Sequence, residues 1–136
     1  MRLIKLIYPI LSLVLTLTFF PGCQGPQPLI IESTYPQDGA VEIPMESDIS
    51  ISIDFSKPMN QEATVKAITI FPETTFEATW EADGKTMRLK SLTLAETTQY
   101  RVTINTEAMA EDGQNLAEEY TFSFETALKP PVCGGT

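Results

Sequence analysis

Apolar and polar residues alternate with a period of two along most of the chain. Ile49, Ile51, Ile53 and Phe55 are separated by Ser50, Ser52 and Asp54. Phe76, Ala78 and Trp80 alternate with Glu77, Thr79 and Glu81; Met87 and Leu89 with Thr86, Arg88 and Lys90. Tyr100, Val102 and Ile104 alternate with Arg101 and Thr103, and Tyr120, Phe122 and Phe124 with Thr121 and Ser123. Such runs turn one face inward and one outward, as half-buried antiparallel strands do. Leu29 to Thr34 and Ala67 to Phe71 are weaker runs that bring the set to about seven strands. Asp83-Gly84 predicts a hairpin between Trp80 and Met87, and Pro36 to Gly39 and Asp112-Gly113 predict further turns. One helical turn is expected over Asn60 to Lys66, with Asn60 as its cap, and a weaker one over Thr106 to Glu111. Short strands at this density predict an all-β fold, a two-sheet Greek-key sandwich.

The beginning of the chain breaks this pattern. Arg2 and Lys5 precede an uncharged, apolar run from Leu6 to Phe20. That run is shorter than the roughly 20 residues a membrane-spanning helix needs, and it has the layout of a signal-peptide helix. A retained membrane helix is the alternative. Phe20-Pro21-Gly22-Cys23 resembles the lipobox of bacterial lipoproteins, although Phe20 and Pro21 stand where that motif usually has Leu and Ser or Ala. The resemblance implies cleavage after Gly22 and acylation of Cys23. Gln24 in the next position resembles the pattern of lipoproteins sent on to the outer membrane or kept on the cell surface. The expected organisation is a signal peptide over 1–22, a lipidated tether over 23–28, a sandwich over 29–126 and a flexible Pro/Gly tail over 127–136. The expected location is the bacterial cell envelope, with the membrane as a partner through the lipid.

Composition narrows the function. The 136 residues contain no histidine, which excludes His-based triads and imidazole metal ligands. Two cysteines cannot close a four-thiolate centre. The net charge is -9; removing residues 1–22, which carry two positive charges and no negative one, leaves 114 residues at -11. An acidic surface of this kind argues against a nucleic-acid partner. Glu77 and Glu81 lie about 13 Å apart along one strand, too far for a glycosidase pair, so no catalytic residue and no enzyme activity are expected. Calcium is the one cofactor with candidate ligands. Asp112 and Asn115, with Glu111 and Gln114, offer oxygens in one loop, and Glu46 and Asp48 offer them in another. Turn chemistry accounts for the same residues. Cys133, in the tail, is left as a free thiol if Cys23 is lipidated; a Cys23–Cys133 disulfide is the rival.

Two patterns point to a particular sandwich. Leu94-x-Glu96-x-Thr98-x-Tyr100 resembles the tyrosine corner of immunoglobulin-like domains, in which a Tyr hydroxyl bonds the backbone a few residues upstream. From Ser33 to Thr126 the chain resembles the bacterial Ig-like domain of the S-layer-protein type. The matching segments are Pro36-x-Asp38-Gly39-Ala40-x-x-Ile43-Pro44, Ile53-x-Phe55-Ser56-Lys57-Pro58-Met59-Asn60, Trp80-x-x-Asp83-Gly84-Lys85-Thr86-Met87-x-Leu89, Leu94 to Tyr100 and Phe122-x-Phe124-x-Thr126. In these segments Pro36, Pro44 and Pro58 suit strand ends, Gly39 and Gly84 suit turns, and Phe55, Trp80 and Tyr100 suit the inter-sheet core. The resemblance implies an immunoglobulin-like sandwich serving as a spacer, adhesion or protein-interaction module, with an envelope protein or polysaccharide as partner. The competing expectation is a carbohydrate- or Ca²⁺-binding module using the sandwich-end loops. Against it, only Tyr35 and Phe71 among the aromatics of the strand region fall on outward registers.

Overall fold

The computed structural model describes residues 25–45 and 49–131. The expected signal-peptide helix, Cys23, Glu46, Asp48 and Cys133 lie outside those residues. Eight strands and one short helix follow in order: β1 (Ile31–Tyr35), β2 (Ala40–Ile43), β3 (Ile51–Phe55), α1 (Gln61–Lys66), β4 (Ile68–Phe71), β5 (Glu77–Trp80), β6 (Thr86–Lys90), β7 (Gln99–Ile104) and β8 (Tyr120–Thr126). They form two four-stranded sheets, β1-β3-β6-β5 and β2-β8-β7-β4. The chain changes sheet after β1, β2, β3, β4 and β6, which makes the structure a Greek-key sandwich.

The period of two is realised as a two-sided core. Ile51, Ile53 and Phe55 from β3 and Met87 and Leu89 from β6 meet Tyr100, Val102, Ile104, Phe122 and Phe124 from β7 and β8, all buried. The polar positions between them face water or are half-buried. Phe55 stacks on Trp80 (centroids 6.2 Å apart) and Tyr100 on Phe124 (5.8 Å). Each aromatic pair adds about 0.5–1.5 kcal/mol to the burial of its surface.

The turns follow their residues. In the β5–β6 hairpin Gly84 takes φ +68°, and the Asp83 carboxylate accepts from the Lys85 N–H (2.9 Å). An alanine at Gly84 would be strained in that left-handed conformation. Asn60 caps α1 as expected, its side-chain oxygen accepting from the Ala63 N–H (3.1 Å).

Three features depart from the sequence expectations. Ala40–Ile43 forms an additional strand that runs parallel to β8, so not every pairing is antiparallel. Thr106 to Glu111 makes turns and bridges in place of helix, with Met109 bridging Asn115 and Ala110 bridging Met59. Trp80 is half-buried on the edge strand β5, packed against the core and not enclosed within it.

Candidate functional site

The chemistry-bearing side chains are partnered locally. Asp54 on β3 accepts from the hydroxyls of Ser33 and Thr86 (the latter at 2.7 Å), and these bonds hold its carboxyl below the usual range. Arg88 Nε donates to Glu81 (2.7 Å), Lys66 Nζ to Glu62 (2.7 Å), and Ser91 Oγ to Glu77 (3.2 Å). Glu77 and Glu81 are thus engaged with separate partners.

The Asp112 loop is organised around a cation of the chain itself. Lys57 Nζ donates to Asp112 (2.8 Å) and to Gln114 Oε1 (2.5 Å), and this ammonium lowers the Asp112 pKa. The other Asp112 oxygen accepts from the Gln114 N–H (2.9 Å), an Asx turn. Asn115 is directed elsewhere, its amide donating to the Thr106 carbonyl (3.1 Å). The structure therefore gives Asp112 and Asn115 different partners, and a divalent ion at Asp112 would compete with the Lys57 ammonium. Among the described residues, no group of three or more His, Cys, Asp or Glu converges. An open cavity of about 420 Å³ beside this loop is lined by Lys57, Pro58, Glu111 and Asp112. A second groove of about 260 Å³, between the start of β1 and the segment before β8, is lined mainly by Leu29, Ile30, Leu116 and Tyr120.

The corner predicted at Tyr100 is present. Its hydroxyl accepts from the Ala95 N–H at 2.7 Å. Sequence reasoning missed its second half. Thr126, buried at the end of β8, donates its hydroxyl to the Ala95 carbonyl (2.7 Å) and accepts from the Thr98 N–H (3.0 Å). The inward register of Phe122-x-Phe124-x-Thr126 was the available signal. Tyr100→Phe is expected to lower stability by about 1 kcal/mol, because one hydrogen bond goes and Ala95 is open to water. Urea unfolding of the two proteins checks this, and equal midpoints would remove the corner's contribution.

The remaining motif residues serve the fold. Pro36 and Gly39 (φ +76°) turn the chain from β1 to β2, and that turn docks on β8 through Gly39 N–H to Ser123 O (2.7 Å). The Pro58 carbonyl accepts from the Glu111 N–H (2.9 Å). Tyr35 and Phe71 are exposed, as their registers predicted. They lie on different sheets and form no common platform.

Two sheets in this order, closed by a tyrosine corner, define an immunoglobulin-like β-sandwich. The chain belongs to the bacterial Ig-like domain family (Big_5), which it matches over residues 26–126. The fold is shared with alpha-2-macroglobulin from Escherichia coli, in a structure spanning domains MG0-NIE-MG1 (TM-score 0.59, 16% identity, 76% of this chain and 33% of that one). It is also shared with the LD transpeptidase LdtMt1 in complex with imipenem (0.51, 22%, 75% and 41%). A third is the N-terminal part of the bacterial S-layer protein SbsC (0.53, 17%, 74% and 24%). The chain thus spans less than half the length of each of these. No curated protein matches the sequence.

Proposed function

We propose that this protein is a lipid-anchored, non-enzymatic module of the bacterial cell envelope that braces or binds another envelope component. The observation that carries the reading is the distance between address and fold. Leu29, buried at 2% exposure, is already part of the core, and only residues 24–28 separate it from Cys23. Six backbone steps reach about 20 Å at most. An acyl chain on Cys23 would hold the sandwich against the membrane surface, where a spacer or interaction domain meets membrane-associated partners. Several acyl chains make such anchoring firm, at about 0.8 kcal/mol per buried CH₂. Membership of the bacterial Ig-like family supports a structural or interaction role, as does the engagement of Asp112, Glu81 and Asp54 in fold contacts. No helix among the described residues is long and apolar enough to cross a membrane.

Cys23→Ser is the test. The variant is expected to move from the membrane fraction to the soluble fraction on sedimentation, with its β-sheet circular dichroism unchanged. Equal sedimentation of the variant and the parent chain would refute the anchor.

A further inference from the structure

Among the described residues the two sheets have four edge strands, and three carry features that discourage pairing. In β1 the register shifts between Ile31 and Ser33, and Glu32 is exposed. In β2 the ladder is irregular, and Glu42 sits at φ +57°. In β5 Glu77 is exposed on the strand and Glu81 follows it. The fourth edge, β4, reads Ile68-Thr69-Ile70-Phe71, with no charge, no register shift, and no Gly or Pro within it. Phe71 at its end is 72% exposed.

Backbone directions on β4 follow from one bond. The Asn105 N–H donates to the Ala67 carbonyl (3.0 Å). In the antiparallel register with β7, Ala67, Thr69 and Phe71 therefore bond inward, and Ile68 and Ile70 direct their N–H and C=O away from the sheet. We propose that β4 is a self-pairing edge, at which a second copy of this chain adds its own β4 antiparallel to form one continuous sheet. Two observations select that occupant. Lys66, at the end of α1, lies two residues before Ile68, and Glu73 lies two residues after Phe71, both exposed, so antiparallel self-pairing brings each lysine towards the other copy's glutamate. Lys66 already reaches Glu62 within α1, an exposed contact that an incoming carboxylate can share. The register is also self-consistent. Pairing Ile68 with the second copy's Ile70, and Ile70 with its Ile68, uses every outward backbone group of the two residues. A shift of two residues, the smallest that again brings outward backbone groups face to face, sets Ile68 opposite Pro72, which has no N–H. The favoured register places Thr69 directly opposite the second copy's Thr69 in a non-hydrogen-bonded pair, and Phe71 diagonally beside it.

The pairing does not depend on the lipid anchor. Its test uses the full chain carrying Cys133→Ser, with and without Cys23→Ser, so the two proposals fail separately. Thr69→Cys is expected to give a disulfide-linked dimer under mild oxidation, because the facing Cβ atoms come close to disulfide distance. Thr103→Cys, one strand inboard in the same row, serves as the control and is expected to link several-fold less. Lys66→Glu should lower the Thr69→Cys yield several-fold, and Lys66→Glu with Glu73→Lys should restore it. Equal linking at Thr69 and Thr103, a yield insensitive to Lys66→Glu, or an adduct to a different protein would overturn the proposal.

Discussion

Phe55→Ala is expected to cost about 3–5 kcal/mol of folding free energy, the range for a truncated core aromatic. Total stability for a domain of this size is about 5–15 kcal/mol, so the variant approaches the unfolding threshold. Phe55 is 1% exposed on β3, an interior strand of its sheet. Its ring stacks with that of Trp80, which sits on the edge strand β5. The Phe55 N–H also donates to the Lys85 carbonyl (2.9 Å), tying the β5–β6 hairpin to β3. Truncation removes the transfer free energy of the ring and leaves a cavity beneath the indole. Trp80 is the only tryptophan of the chain and reports its own environment. Urea unfolding followed by its emission should show a lower midpoint and a native spectrum shifted to the red. Phe71→Ala provides the contrast. The same change at a 72% exposed ring is expected to alter stability by no more than about 0.5 kcal/mol. A Phe55→Ala cost below about 1 kcal/mol would contradict the packing described for the two sheets.

The contrast between Phe55 and Phe71 was legible in the sequence, because period two assigns each residue to a face. The position of a strand within its sheet was not. Trp80 falls on the inward register, yet its strand is an edge, and the indole is only half covered. β2 was missed for a related reason. Its four residues include Glu42 at positive φ, and its pairing with β8 joins segments some eighty positions apart. No local pattern records such a pairing. The Asp112 loop makes the point for chemistry. Its Asp, Gln and Asn side chains look like an oxygen cluster from the sequence, but a lysine 55 positions earlier supplies the cation. By contrast, the Tyr100 corner and the Asn60 cap were readable because each is a bond within a few residues of chain. Cys23, on which the anchoring proposal rests, is readable only as a motif.

Thr126→Val should show how strongly the corner depends on one buried hydroxyl. The substitution keeps the β-branched shape and puts a methyl where the hydroxyl was, so its cost comes from the hydrogen bonds it removes. The lost bonds run from the Thr126 hydroxyl to the Ala95 carbonyl, with the Thr98 carbonyl a second acceptor at 3.2 Å, and from the Thr98 N–H to Thr126. Each backbone group left unpaired costs about 1–3 kcal/mol when water is excluded. Thr126 is buried, but Ala95 is exposed and Thr98 half-buried, so water recovers part of that cost. The expected net loss is about 2 kcal/mol, or on the order of 10 °C in Tm. The backbone bond from the Thr126 N–H to the Thr98 carbonyl (3.1 Å) is independent of the side chain and should keep β8 in place. Circular dichroism should accordingly stay native. Combining this change with Tyr100→Phe gives the sharper measurement. Tyr100 holds the N–H of Ala95 and Thr126 holds its carbonyl, so each bond helps to orient the peptide units that the other uses. Once either is lost, Ala95 is less ordered and the remaining bond contributes less. The double variant should therefore lose less than the sum of the two single losses, by about 0.5 kcal/mol or more. Strict additivity would mean that the two bonds act on Ala95 separately, and that the corner is two neighbouring contacts without mutual support.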